Sequence, residues 1–197
     1  AALPDGEARF WQRALAHDLL VEQGMEVIGF DHFALPNDSL SIAARSGELH
    51  RNFQGFTDDP AQVLIGLGAS AISQFPGLIA QNEKHVGRYR MLAQNGRSCV
   101  VKGLVRDAND RARGAVIERL LCDGTVDWAA IAAAMGQPQH MVRPDHAVLD
   151  ELEMHEVITI TGTRLAITRD GAPYARLAAS AFDRYRNPAA GRFSRAV

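Results

Sequence analysis

The sequence lacks any long apolar run, and no stretch approaches the ~20 apolar residues that span a bilayer. It also lacks a basic segment followed by an apolar core at its start, which is the mark of a secretion signal. Its formal net charge of −2 is not the basic excess that nucleic acid or an anionic membrane attracts. We therefore expect a cytoplasmic protein, monomeric and with neither a membrane nor a nucleic-acid partner.

Cysteine is nearly absent. Cys99 and Cys122 lie far apart, and neither belongs to a C-x-x-C pair of the kind that binds metals. The histidines are scattered without the spacing of metal ligands. The sequence therefore predicts two reduced thiols and no metal site within this chain.

The first half of the chain alternates predicted helices and strands. Trp11, Leu15 and Leu19 recur at four-residue steps, which predicts an amphipathic helix over 6–22. The apolar run 63–68 is typical of a strand buried on both faces. Further elements are expected as strands near 27–30 and 98–104 and as helices near 37–46 and 81–95. This alternation favours a parallel α/β layer, too short for a whole barrel of ~250 residues but suited to its closing section.

The second half has a different pattern, which places a domain boundary between residues 107 and 108. The predicted order is three helices, a hairpin and a last helix, which is winged-helix-like and α+β. The expected ranges are 109–122, 128–135 and 145–155 for the helices, 157–161 and 164–168 for the strands, and 171–186 for the last helix. The basic segment 184–195 is expected to extend over the surface.

Charge argues against DNA binding by this winged-helix-like domain. From Asn109 to Asp170 there are six Arg, no Lys and ten acidic residues. The segment that would enter the groove carries Arg143 against five carboxylates, whereas phosphate neutralisation needs the opposite balance.

Two groups of side chains are candidates for the substrate side of a site. Asp31 and His32 follow a predicted strand, where a carboxylate and an imidazole can bind a ligand or move protons. Arg51 lies among aromatics in the loop 50–56 and can pair with a carboxylate through two hydrogen bonds. The alternatives are a polar pair that ties a strand end to its loop and a surface arginine.

Gly66, Gly68 and Ser70 form a third candidate group, at the end of the run 63–68. Small residues let the backbone approach a ligand closely, so these positions suit an adenine or a ribose. Tight packing of a strand on a helix is the alternative, and a lone G-x-G pattern does not decide between them.

Several strings, taken together, resemble one family. The segment 29–36, Gly-Phe-Asp-His-Phe-Ala-Leu-Pro, is similar to G-[MF]-D-H-F-A-x-P of oxygen-independent (anaerobic) coproporphyrinogen III oxidases, which are radical-SAM enzymes. Segment 49–56 resembles their [LH]-x-R-N-F-Q-G-[YF] loop, and 66–73 resembles G-x-G-x-S-A-I-S. Ala80-Gln81-Asn82 and Arg192-Phe193-Ser194-Arg195 fit in the same order. The related haem chaperones lack R-N-F-Q-G, so the loop favours the oxidase over a chaperone. A cofactor-free binding protein derived from this fold stays an alternative, which predicts a native gene without the cluster-binding half.

The resemblance implies the end of a partial (α/β)6 barrel followed by a small domain. It also implies a reaction in which two propionates of coproporphyrinogen III lose their carboxyl groups and become vinyls. The family uses a [4Fe–4S] cluster, S-adenosylmethionine and an electron donor, and a 5′-deoxyadenosyl radical abstracts hydrogen from the porphyrinogen. Ile72 matches the family isoleucine that contacts S-adenosylmethionine. The family's C-x-x-x-C-x-x-C motif is absent, so we expect neither cofactor on this chain alone and no turnover.

The chain begins with Ala rather than Met and leads directly into a helix, which suggests a piece of a longer protein. We therefore predict that the native reading frame carries C-x-x-x-C-x-x-C upstream of Ala1. Sequencing the gene checks this, and a frame that starts at Ala1 would contradict it.

Overall fold

The computed structural model describes residues 4–186. Its helices are α1 (Gly6–Glu22), α2 (Ser39–Ser46), α3 (Val86–Gln94), α4 (Ala108–Asp123), α5 (Trp128–Ala134), α6 (His146–Met154) and α7 (Ala175–Ser180). Its strands are β1 (Glu26–Ile28), β2 (His32–Ala34), β3 (His50–Arg51), β4 (Phe56–Thr57), β5 (Ile72–Phe75), β6 (Leu78–Asn82), β7 (Val100–Val105), β8 (Thr125–Asp127), β9 (Ile158–Thr161) and β10 (Arg164–Ile167). The string 192–195 and most of the predicted tail 184–195 lie outside the described residues.

Helix α4 is the centre of the core. Asp107 accepts the N–H of Asp110, and the Asp110 carboxylate accepts the N–H of Asp107, which closes a capping box at the helix start. Ala112, Val116 and Leu120 are fully buried, so the helix face read from the sequence is confirmed. Helices α5 and α7 and strands β3 and β8 all contact α4.

The second half has the winged-helix order. A three-stranded antiparallel sheet places β10 between β8 and β9, with α4, α5 and α6 beside it. The sequence missed β8 because three residues after a glycine turn are too few to show alternation. The last helix, predicted over 171–186, is shorter in the structure. Ala172–Tyr174 form a 3₁₀ segment, and α7 ends at Ser180.

The parallel layer expected in the first half is wrong for the strands described. Strands β1–β2, β3–β4 and β5–β6–β7 all pair antiparallel. Short turns explain the pairings within β1–β2, β3–β4 and β5–β6, because a connection of two residues, such as Pro76-Gly77, can only reverse the chain. Strand β7 is also antiparallel to β6, although α3 lies between them in the chain. The predicted helix over 81–95 begins later, at Val86, since residues 78–82 belong to β6.

The run 63–68 is not a buried strand. Only Leu64 forms an isolated bridge, to Gln74, while Leu67 is 87% exposed. Helix α1 forms as predicted, with Asp5 as its cap, but its apolar face is also open, and Leu15 is 61% exposed. No helix within residues 4–186 is both long and apolar enough to cross a membrane.

The buried side chains on either side of position 107/108 form one cluster. Ile28, Leu49 and Phe56 pack with the residues of α4, and Arg119 of α4 donates hydrogen bonds to the carbonyls of Gly47 and Leu49. The boundary itself stays a prediction.

We predict that Leu120→Ala lowers the free energy of unfolding by about 2–5 kcal/mol, because it opens a cavity in a fully packed site. Urea unfolding followed by circular dichroism measures this. Leu15→Ala on the exposed face of α1 is the matched control and should change the free energy by less than ~0.5 kcal/mol. Equal losses for the two variants would contradict this placement of the core.

Candidate functional site

Two of the substrate-side candidates, His32 and Arg51, contact the ring of Phe56, and the third, Asp31, contacts His32. The hairpin β1–β2 presents Asp31 and His32, with 2.7 Å between His32 Nδ1 and Asp31 Oδ1. The His32 ring meets Phe56 edge-on, with centroids 5.1 Å apart. The guanidinium of Arg51 lies 4.7 Å from the Phe56 centroid and 5.1 Å from that of Phe30. Asp31 and His32 thus stand at a hairpin turn rather than at the end of a parallel strand.

Two glycines of the motifs make this assembly possible. Gly29 has φ +60, and a Cβ there would lie 2.0 Å from Cζ of Phe56. Gly55 has φ +146, and a Cβ there would lie 3.0 Å from Nε2 of His32. Each backbone is therefore left-handed and also covered by a ring, so only glycine fits. The two sequence motifs 29–36 and 49–56 are in contact with each other in space.

The guanidinium of Arg51 is partly buried and has an unsatisfied hydrogen-bond donor. Burial lowers the pKa of its guanidinium, the Asp31 carboxylate opposes this shift, and the positive charge of Arg176 adds to it. Its Nη1 is buried without a hydrogen-bond partner. An unpaired buried donor costs about 1–3 kcal/mol, and more when it is charged. The aromatic faces hold the cation but supply no acceptor, so an anion would complete the site.

Helix α4 fixes the loop that carries Arg51. Glu118 Oε1 accepts the backbone N–H of Arg51 at 3.3 Å and lies 3.0 Å from Nδ1 of His50. Arg119 holds the preceding carbonyl of Leu49. The position of the guanidinium is therefore set by the second half of the chain.

Arg51 lines an open cleft of about 730 Å³, within the ~300–1,000 Å³ typical of ligand pockets. Ile79 and Leu104, which face each other across β6 and β7, form part of its apolar wall. Sequence reasoning missed the arginines that the second half contributes. They come from the β7–α4 junction, α4, α7 and the segment after α7, so no local motif connects them: Arg106, Arg111, Arg113, Arg176 and Arg184.

The proposed cofactor-side residues lie elsewhere, around the start of β5, and do not line this cleft. The N–H of Gly66 donates to Ser73 Oγ at 3.0 Å, and the N–H of Gly68 donates to the Tyr89 hydroxyl at 3.2 Å. Both glycine carbonyls accept from Nδ2 of Asn82. These backbone groups thus already have partners within the chain.

Gly66 also meets a steric demand, because a Cβ there would lie 2.5 Å from the carbonyl oxygen of Ile72. Ser70 is exposed with φ +62, and Ile72 is half-buried as the first residue of β5. Close packing therefore explains Gly66, while cofactor contacts by Gly66, Gly68, Ser70 and Ile72 stay predictions.

The residues present do not fit an iron–sulfur cluster. Both cysteines are free, and burial raises the pKa of the Cys122 thiol to about 12, far from the thiolate that ligates iron. Within residues 4–186, no group of three or more His, Cys, Asp or Glu side chains is arranged to hold a metal. Two cysteines cannot supply the three thiolates that a radical-SAM cluster needs.

Comparison with known proteins gives a consistent result, although no protein-family model matches the chain. The chain is 38% identical over 196 residues to the oxygen-independent coproporphyrinogen III oxidase of Bradyrhizobium diazoefficiens, which covers all of this chain and 44% of that protein. It is 38% identical to the anaerobic coproporphyrinogen III oxidase 1 of Cereibacter sphaeroides, over 98% of this chain and 43% of that protein. A relative from Thermostichus vulcanus is 34% identical, and 61% of it is covered.

Among solved structures, the chain is similar to coproporphyrinogen III oxidase (HemN) from Escherichia coli, described as a radical SAM enzyme. The TM-score is 0.83 at 29% identity, over 93% of this chain and 43% of that one. The chain thus spans less than half of the length of the first relatives it matches. The resemblance read from the motifs is confirmed, as is the expected fold, the mixed α/β arrangement of the C-terminal part of that enzyme.

We predict that Gly29→Ala lowers the free energy of unfolding by about 2 kcal/mol or more, since it forces both the backbone and the Phe56 ring to move. The melting temperature and the near-ultraviolet circular dichroism of the aromatics report it. Gly77→Ala is the matched control, because a Cβ at Gly77 meets nothing within 4 Å. Equal stability of the two variants would contradict the packing of Phe56 on Gly29.

Proposed function

We propose that this chain is the C-terminal part of an oxygen-independent coproporphyrinogen III oxidase and that it builds the substrate side of that enzyme's site. The observation that carries the proposal is that His32, paired with Asp31, and Arg51 come from two separate motifs and contact one aromatic ring. Polar side chains that two separate motifs bring together are expected of a ligand site.

The role of Arg51 follows from its surroundings. Porphyrinogen propionates are carboxylates on an apolar macrocycle, and a half-buried guanidinium with an unpaired donor is a matching receptor. The rings of Phe30 and Phe56 both pack against the guanidinium and restrict it, so little side-chain entropy is lost on binding. Arg51 would therefore fix the position of one propionate.

Asp31 and His32 would act as a pair. The contact at His32 Nδ1 orients the imidazole and leaves Nε2 on the side of Gly55 and the loop. The free ring nitrogen could form a hydrogen bond to a polar group of the substrate. We assign the pair to substrate positioning.

The cofactors would be held mainly by residues outside this chain. The cluster and S-adenosylmethionine would supply the radical chemistry when bound. An electron donor would reduce the cluster, and an electron acceptor would take the electron that the substrate loses with its carboxyl group. Ile72 would contact S-adenosylmethionine through its backbone or its apolar face. Gly68 and Ser70 flank that position, and Ser70 presents an exposed hydroxyl.

Exposed apolar surfaces on this chain are consistent with contact to another part of the parent enzyme. Val63, Ile65 and Leu67 in the extended run, together with Trp11 and Leu15 on α1, are exposed apolar side chains of the kind that mark contact surfaces. The relatives extend well beyond the matched part. We propose that the remaining section of the parent enzyme covers these faces, and that the whole acts in the cytoplasm as a monomer.

The test is conversion of coproporphyrinogen III to protoporphyrinogen IX by the anaerobically purified parent protein. Arg51→Ala should lower kcat/KM by a factor of about 30 to 150, since a charge-assisted hydrogen bond of ~2–3 kcal/mol is lost. Arg169→Ala removes an exposed arginine that does not line the cleft and should leave kcat/KM unchanged.

The outcomes separate the candidate functions. No conversion by the wild-type parent, together with tight stoichiometric haem binding, would replace the oxidase with the haem chaperone. Normal conversion with unchanged kinetics for Arg51→Ala would keep the oxidase and return Arg51 to a structural role.

A further inference from the structure

We infer that Arg176 of the winged-helix-like part and Arg51 of the loop together form a clamp for one carboxylate of the ligand. The inference rests on the proposed function for the nature of that ligand, a macrocycle with propionate arms. It assigns to the second half of the chain a direct part in binding, which neither the motifs nor the comparisons assign.

The first argument is proximity. Both side chains line the same cleft, although Arg51 lies on β3 and Arg176 on α7. The two guanidiniums are close enough for the charge of Arg176 to act on Arg51. The Asp31 carboxylate also acts on Arg51, but it forms no salt bridge with either arginine. A carboxylate shared by Arg51 and Arg176 would reduce the repulsion between the two cations.

The second argument is that these two arginines lack the partners that their neighbours have. Arg184 pairs with Asp110 at 2.9 Å and with Asp107 at 3.0 Å. Arg113 donates to the carbonyls of Phe182 and Met141. Within residues 4–186, no carboxylate forms a salt bridge with either Arg51 or Arg176.

The acidic residues of the cleft are also engaged. Asp110 is bound by Arg184, Glu118 contacts His50 and the backbone N–H of Arg51, and Asp183 accepts the N–H of Tyr185. Asp59 accepts the N–H of Ala61. An anion that enters the cleft could therefore bind Arg51 and Arg176, since the acidic residues of the cleft form no salt bridge with either of them.

The third argument is shape. Ile79 and Leu104 present an apolar patch on the sheet side of the cleft, and Ala115 and Ile117 line it from α4. A flat apolar ring fits between such walls while its carboxylate arms reach the arginines. Arginine suits the role because its planar fork binds a carboxylate through two parallel hydrogen bonds.

The test is fluorescence titration of the full 197-residue chain with coproporphyrin III, the stable oxidised macrocycle. We expect binding to the free acid and at least about tenfold weaker binding to its tetramethyl ester, which lacks the charges. Arg176→Gln should weaken binding of the acid about tenfold and leave ester binding unchanged. Arg169→Gln on the same half of the chain should alter neither.

A double-variant cycle distinguishes a clamp from two separate contacts. Arg51→Lys keeps the charge but loses the fork and should weaken acid binding. If both arginines hold one carboxylate, Arg51→Lys/Arg176→Gln should lose less than the product of the two single losses. The melting temperature of each variant shows that it is folded.

Three results would overturn the clamp: no binding of the acid to the wild-type chain, equal binding of acid and ester, or full affinity of Arg176→Gln. None of these depends on turnover by the parent enzyme, so an active parent with any of these results would keep the oxidase and reject the clamp. Charge-dependent binding through both arginines, with an inactive parent, would keep the clamp and reject the oxidase.

Discussion

Burial of one face of helix α4 is the constraint on which the rest of the structure depends. Ala112, Val116 and Leu120 are fully enclosed, and the hairpins of the first half and the sheet of the second half both pack on this helix. Glu118 and Arg119 are adjacent on this helix, and both side chains hydrogen-bond to the backbone of the loop that carries Arg51. The core and the site are therefore connected by two adjacent residues of one helix.

The ring of Phe56 is the second organising feature. It is buried against Gly29, stacks with the Arg51 guanidinium and meets the edge of His32. A larger residue at position 29 would displace the ring, and displacement of the ring would release the arginine. The glycine, the aromatic and the cation thus form one packing unit, which explains why the motif strings 29–36 and 49–56 belong together.

The winged-helix order occurs here with an acidic charge balance, which does not favour phosphate binding. Its charged side chains largely face one another or the backbone, as when Asp127 caps α5 and accepts from Thr163, and Arg184 binds the Asp107–Asp110 capping box. This half contributes arginines to the cleft, and they lie on or beside helices that also bury core residues.

The amino-acid sequence by itself determined helices α4, α5 and α6, the buried face of α4 and the family resemblance, because caps, apolar spacing and short motifs are local signals. It also marked Asp31, His32 and Arg51 as candidates for the substrate side, without showing that their segments meet. Only the tertiary structure decided the antiparallel pairing and the exposure of Val63, Ile65 and Leu67. An apolar run in the sequence does not show which other segment, if any, packs against it. It also brought Arg176 to Arg51's cleft, across more than a hundred residues of chain. Contacts of that kind follow from how helices and hairpins pack, and no pattern in either segment encodes them alone.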